Sequence, residues 1–428
     1  MTNIKKTSEG VYFLSLFLEN VRCFGAEQTL DLSDGNGRPA KWTVILGDNG
    51  TGKTTLLEIL EKYNVLDFGS ETYSLPRNSS GHFNLEYCFA YKNTLENKTS
   101  NFSYESVKKE IKIGASGVYT PIGSLDIFRN DIFKVYAYKA TRKLSKNNPM
   151  SSGEKIFYDM GIKKDYDELI NAEEWLRETD YIASKPSPIK DRYEERFKII
   201  KDVLINLLPD VEDIRISVPS ESSPLPQVEF KTLDGWLMLF QLSLGYQTMI
   251  AWMVDLAAQL FKDYPNSLNP IAEPAVVLID EIDLHLHPKW QRTIMSYLSE
   301  RFVNTQFIVT AHSPLIVQAA ENANIVVLKR EGDSVIIQQQ HQAVQGWRID
   351  QLLTSDLFDL KSARSPHYET LLEQRRQILS KPELSANDQA RLETLKAEIG
   401  DLPTAETAQD IQAMDIIRRA AQLLKPSL

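Results

Sequence analysis

Trp42-Thr43-Val44-Ile45-Leu46-Gly47-Asp48-Asn49-Gly50-Thr51-Gly52-Lys53-Thr54-Thr55 is the stretch on which the fold turns. It opens with a short apolar, β-branched run of the kind that forms a buried parallel strand. It continues as G-x-x-x-x-G-K-[ST] without a gap, and Thr54 to Tyr63 then has helical composition and period. Glycines at these positions let main-chain N–H groups turn inward around phosphate oxygens, and the following helix N-terminus adds a favourable dipole. Lys53 reaches the outer phosphates as a point charge, and the Thr54 hydroxyl is a Mg²⁺ ligand. The residues assigned to the nucleotide are therefore Gly47, Asp48, Asn49, Gly50, Thr51, Gly52, Lys53, Thr54 and Thr55. The expected ligands are ATP and Mg²⁺.

Further along, Ala275-Val276-Val277-Leu278-Ile279 reads as a second buried strand ending in Asp280-Glu281. Asp280 is placed to hold Mg²⁺ and Glu281 to act as general base on the attacking water. The alternative, an ordinary acidic strand end, loses ground because a phosphate loop stands upstream. Gln306 to Thr310 is a third buried strand, followed by His312. Strands are also expected at 11–18, 85–91, 133–138, 213–218, 227–232, 325–329 and 335–339. Helices are expected at 165–184, 190–208 and from about Ser243.

Leu242-Ser243-Leu244-Gly245-Tyr246-Gln247 resembles the signature of ABC-type ATPases. The resemblance implies that Ser243, Gly245 and Gln247 bind the γ-phosphate held by a second copy, so that two copies sandwich two ATP molecules. On the residues alone, the same stretch is a helix capped by Ser243. His312 resembles the switch histidine of these ATPases, a catalytic residue beside Glu281 and Lys53. Asp280-Glu281-Ile282-Asp283-Leu284-His285-Leu286-His287-Pro288 resembles the OLD-like branch found in bacterial anti-phage defence. His285 and His287 have no third ligand nearby, so a subunit-facing loop is preferred to a metal site. Leu18 to Phe24 resembles the first strand and turn of RecF, SMC and OLD-type ATPases, which makes Arg22 a candidate contact near the nucleotide. Val135 to Arg142 resembles a defence-associated segment, with Lys139 where glycine is usual. The family's glutamine between phosphate loop and signature is missing, since no glutamine occurs between Gln28 and Gln227. That omission points to slow turnover. Leu244 also departs from the small or acidic residue common inside the signature.

The expected fold is α/β: an ABC-type ATPase head with a mixed β-sheet core over residues 1–345, a helical insertion at about 145–240, and a helical C-terminal region over 346–428. The net charge of −10 over 428 residues argues against broad coating of nucleic acid. Two cysteines without metal-type spacing, no apolar run long enough for a membrane span and a polar N-terminus point to the cytoplasm. No sustained heptads appear, which excludes a long-armed DNA clamp. The tail shows no alternating strands and no Asp-x-Asp cluster, so no nuclease domain is expected in it. It offers helices at 367–379, 385–399 and 407–424, for packing or for partner contacts. The chain as a whole resembles the ATPase subunit of Septu-type defence systems, which implies a separate HNH-type nuclease as partner, with DNA contact made through the complex. Two other readings remain open. One is a RecF-like repair ATPase using a basic cluster at Lys139, Arg142, Lys143 and Lys146, which otherwise reads as a solvated loop. The other is a non-catalytic nucleotide switch.

Overall fold

The computed structural model describes residues 8–62, 81–93, 101–113, 119–122, 134–142, 169–221, 224–340, 344, 346–360 and 362–399. The expected helix at 407–424, Lys143 and Lys146 lie outside them. The chain divides into two compact units, Met1–Trp347 and Arg348–Leu428.

The first unit runs β1 (Ser8–Glu19), β2 (Gln28–Asp31), β3 (Trp42–Gly47), α1 (Lys53–Lys62), β4 (Gly81–Asn93), β5 (Asn101–Ile113), β6 (Tyr119–Ile122) and β7 (Val135–Tyr138). It continues with α2 (Ala172–Ser184), α3 (Lys190–Leu207), β8 (Asp213–Ile216), β9 (Val228–Thr232), β10 (Gly235–Met238), α4 (Leu244–Asp263) and β11 (Ala275–Ile279). The last elements are α5 (Pro288–Gln291), α6 (Ile294–Arg301), β12 (Thr305–Thr310), α7 (Pro314–Ala319), β13 (Asn324–Glu331) and β14 (Ser334–Gln340). Helix α2 starts at Ala172 rather than at 165. The Asn171 side chain accepts from the Glu174 N–H and caps the helix there, and Glu173 and Glu174 fill its first turn.

A six-stranded sheet carries the order β14-β13-β3-β12-β11-β7. Its five strands from β13 to β7 are parallel, and β14 runs antiparallel at the edge. All five residues of β11 and all six of β12 are buried, as a sheet covered on both faces requires. A second sheet, β2-β1-β4-β5-β6, is antiparallel. One core cluster joins Phe13, Leu16 and Leu18 of β1, Leu56, Ile59 and Leu60 of α1, and Ile45, Val276, Leu278, Ile308 and Val326 of the large sheet. Each such leucine or isoleucine contributes roughly 1.5–3 kcal/mol on burial. Gln306 ties the two sheets together: its amide donates to the Phe13 carbonyl at 2.8 Å and accepts from the Phe13 N–H at 2.9 Å. Buried α4 residues run from Thr248 to Phe261 without interruption, so this helix is enclosed rather than amphipathic. The insertion expected to be helical also holds a small sheet, β10-β9-β8.

The second unit contains α8 (Ile349–Leu353), α9 (Pro366–Leu379) and α10 (Ala386–Ile399). Ser365 caps α9 by accepting from the Tyr368 N–H. Leu371, Leu395 and Ile399 form the core of the α9–α10 pair.

Candidate functional site

The parallel strands β3, β12 and β11 lie side by side, and their C-terminal ends bring three separate sequence stretches to one edge. Crevices at this edge are where parallel α/β sheets bind ligands. β3 delivers the loop 47–54, in which Gly47, Gly50 and Gly52 all have positive φ. At Gly52 the requirement is double: φ is 92°, and a Cβ would lie 2.4 Å from Cys23 Sγ. Cys23 and Phe24, in the turn after β1, therefore form the floor under the loop. Thr51 closes it by donating from its hydroxyl to the Asp48 carbonyl at 2.8 Å. Lys53 Nζ donates to the carbonyls of Gly47 and Asp48 at 2.7 and 3.0 Å. Burial lowers the Lys53 pKa, opposed by the charges of Asp280, Glu281, Asp48 and Asp283. Lys53 thus sits in the field of four carboxylates while its donors go to loop carbonyls, and phosphate oxygens are the natural replacement for those carbonyls.

Asp280 is buried at the end of β11 and receives two hydroxyls. Thr54 Oγ1 donates to Oδ2 at 2.8 Å, and Thr310 Oγ1 donates to Oδ1 at 2.6 Å. The Thr310 oxygen also accepts from the Glu281 N–H at 2.7 Å. A serine-type hydroxyl has one proton to give and lone pairs to receive with, so Thr310 satisfies both neighbours at once. Glu281 itself sits in the left-handed region at φ 52°. A non-glycine residue held there costs about 1–3 kcal/mol and marks a constrained position. Thr54 and Asp280 together present a hydroxyl and a carboxylate, the hard oxygen donors that Mg²⁺ takes, so the residues fit the metal.

Around this centre stand residues that motif reading does not single out. Asp283 Oδ2 accepts from the His312 N–H at 3.0 Å, joining the turn after β11 to the turn after β12. Arg142 Nη2 donates to the Glu281 carbonyl at 2.9 Å. It is turned toward the site, not part of a solvated loop. Arg330 Nη2 donates to the Gly50 carbonyl at 3.0 Å. Their roles do not show in the sequence, because each is one of several charged neighbours and its partner lies far along the chain or in the main chain.

Other expected residues lie around the centre in different ways. Arg22 has φ 46° and donates to Thr55 Oγ1 at 3.1 Å and Glu58 Oε2 at 2.8 Å, so it is anchored on α1. His312 is exposed and linked through its main chain. Ser243 stands at the N-cap position of α4, as the helix reading expects, but it is exposed and its side chain makes no capping bond. Gln247 donates to the Leu242 carbonyl at 2.7 Å. Gly245 is needed because a Cβ would lie 2.6 Å from the His285 carbonyl oxygen. The segment 242–247 therefore packs on the turn that follows Glu281. His287 Nδ1 accepts from the Lys289 N–H at 3.3 Å and caps α5. Among the described residues no group of three His, Cys, Asp or Glu side chains stands in metal-binding geometry, and no helix is long and apolar enough to cross a membrane.

The chain is similar to several known proteins. Residues 42–318 match the family model described as AAA domain, putative AbiEii toxin, Type IV TA system. The probable ATPase of retron Ec83 from Escherichia coli is 33% identical over 218 residues, covering 50% of this chain and 38% of that protein. The Septu protein PtuA of Bacillus mycoides is 24% identical over 408 residues, covering 91% of this chain and 51% of that protein. The chain thus spans well under two thirds of the length of either relative. The solved SMC head bound to the C-winged helix domain of ScpA aligns with 77% of this chain and 97% of its own length, at 16% identity and a TM-score of 0.45.

Proposed function

The chain belongs to the AAA-domain family described as putative AbiEii toxin, Type IV TA system, and from that premise we propose that it is an ATP-binding, slowly hydrolysing subunit of an anti-phage defence complex. The observation that carries the reading is the convergence of Lys53, Thr54, Asp280, Thr310 and Glu281 at the ends of three adjacent strands. The loop 47–54 cradles the phosphates with main-chain N–H groups, and Lys53 moves from its two carbonyls onto phosphate oxygens. Thr54 and Asp280 hold Mg²⁺, which when bound neutralises charge on the phosphates. Glu281 takes a proton from water as the water oxygen bonds to the γ-phosphorus and the bond to the β-phosphate oxygen breaks. His312, whose main-chain N–H is held by Asp283, senses the same phosphate group.

Two copies close on the nucleotide. Exposed Ser243, with an uncommitted hydroxyl at the start of a 20-residue helix, supplies the second copy's contact. Leu244 and Phe240, 56% and 69% exposed, flank it with apolar surface. The complex includes a separate nuclease of HNH type, whose activity ATP occupancy controls. The relative named PtuA and the retron ATPase support the defence assignment.

The test pairs two measurements. Glu281→Gln is expected to bind ATP like the parent and to lose hydrolysis by about 100-fold or more, in the range of a lost general base. Equal turnover in the two proteins overturns the assignment of the base. The chain mixed with the product of the neighbouring reading frame is expected to co-elute with it and to change its nuclease activity when ATP is added. Separate elution with no nucleotide effect overturns the regulatory role.

A further inference from the structure

Arg142 stands four residues past β7, the strand that flanks β11. The two strands are in register, with Tyr138 beside Ile279, and the Asp280 N–H donates to the Tyr138 carbonyl at 2.8 Å. The chain then turns, closed by the Arg142 N–H on the Lys139 carbonyl at 3.2 Å. This turn sends the guanidinium back over the site. Nη2 bonds the Glu281 carbonyl at 2.9 Å, and the guanidinium carbon lies 5.9 Å from the ring centroid of Trp252. Trp252 belongs to α4, the helix that begins directly after Ser243.

The contact is held rigid from behind. The Tyr138 ring meets Trp252 edge-on at 5.8 Å. The Tyr138 hydroxyl donates to Asp255 Oδ2 at 2.9 Å, and Asp255 Oδ1 accepts from the Ile170 N–H at 3.1 Å. Gln259 donates to the same carboxylate. Such a buried, mutually satisfied polar network specifies one arrangement of β7 against α4. Burial pushes the Arg142 pKa down, and the charges of Asp280, Glu281, Tyr138 and Asp283 pull it back up. A guanidinium brought into this setting stays charged. Its bond to a main-chain carbonyl pins a residue whose backbone is already in the left-handed region.

We propose that Arg142 is a positioning residue for hydrolysis: it fixes the backbone of Glu281 against Trp252, and so makes the placement of the general base depend on the helix that carries Ser243. The proposal rests on the reading of Glu281 as the base. Seating of Ser243 on a partner's nucleotide would then be felt at this copy's own Glu281 through α4, Trp252 and Arg142. Lysine in place of Arg142 keeps the charge and a donor for the Glu281 carbonyl but loses the planar guanidinium near the indole. Methionine keeps the apolar stem and loses both.

The experiment measures ATP hydrolysis and equilibrium ATP binding on the full chain, for the parent, Arg142→Met, Arg142→Lys, Glu281→Gln and the Arg142→Met/Glu281→Gln double variant. Arg142→Met is expected to lose about 10- to 100-fold in kcat, the scale of a slight misplacement of a catalytic group, with ATP affinity and melting temperature close to the parent. Arg142→Lys is expected to recover part of that loss. In the Glu281→Gln background Arg142→Met is expected to change nothing more, because the group it positions is gone. An unchanged kcat in Arg142→Met overturns the proposal, and so does an equal loss in both backgrounds. If Arg142→Met does not fold, Trp252→Phe serves instead: lower kcat at unchanged ATP affinity supports the coupling, and full kcat overturns it. A parent chain that hydrolyses no ATP fails the underlying reading instead, so the two failures are separable.

Discussion

Replacing Thr310 by valine removes one oxygen from the centre of the site and keeps the shape of the side chain. Thr310 is fully buried, at 0% exposure. Its hydroxyl donates to the Asp280 carboxylate at 2.6 Å and accepts from the Glu281 N–H at 2.7 Å. The first bond is charge-assisted and contributes about 1.5–3 kcal/mol, and the N–H left without a partner costs about 1–3 kcal/mol. The two effects share one atom and do not add fully, so a net destabilisation of about 2–4 kcal/mol follows. Hydrolysis suffers as well, because the same hydroxyl orients the metal-binding carboxylate and the left-handed turn that carries the base. A loss of about 1.4–2.8 kcal/mol in the transition state lowers kcat by about 10- to 100-fold. Thr310→Ser restores the oxygen and is expected to recover most of the rate. Steady-state hydrolysis, ATP binding and urea unfolding, measured on parent, valine and serine variants, check this. A valine variant with parental kcat and unfolding midpoint refutes the placement of Thr310 as the link between the two carboxylate residues.

Two more predictions come from other parts of the unit. Gly245→Ala places a Cβ 2.6 Å from the His285 carbonyl oxygen; overpacking of this kind costs about 1–3 kcal/mol, so the urea midpoint should fall, and an unchanged midpoint contradicts the close approach. Lys41 Nζ donates to the Phe302 and Val303 carbonyls at 2.5 and 2.7 Å, and burial lowers its pKa from 10.5 to about 8. The folded chain then releases this proton near pH 8 while the unfolded chain keeps it to about pH 10.5, so the unfolded state binds more protons between those values and stability gains with rising pH. Stability curves of the parent and Lys41→Met should therefore diverge in favour of the parent across that window, and parallel curves contradict the shift.

The phosphate loop and the Asp280-Glu281 pair were legible because each is local: an apolar strand, then polar residues whose order alone encodes the chemistry. The large sheet was legible strand by strand for the same reason. Its order was not, since β3, β12, β11 and β7 are neighbours in space but far apart in the chain. That order is what places Thr310 between Asp280 and Glu281, and what turns Arg142 from a basic loop residue into a contact of Glu281. Gly245 has its structural reason in His285, forty residues away. The start of α2 was read too early because charged, helix-forming residues continue upstream of the Asn171 cap.

The central claim is that each nucleotide site is shared between two copies. A Lys53→Ala copy lacks the phosphate lysine, and a Ser243→Ala copy lacks the contact given to its partner's nucleotide. Each alone is expected to be inactive in ATP hydrolysis. Mixed in equal amounts, half the two-fold pairs contain one of each, and one of their two sites is intact, so activity should return to roughly a quarter of the parent's. A mixture no more active than its two components contradicts the shared site.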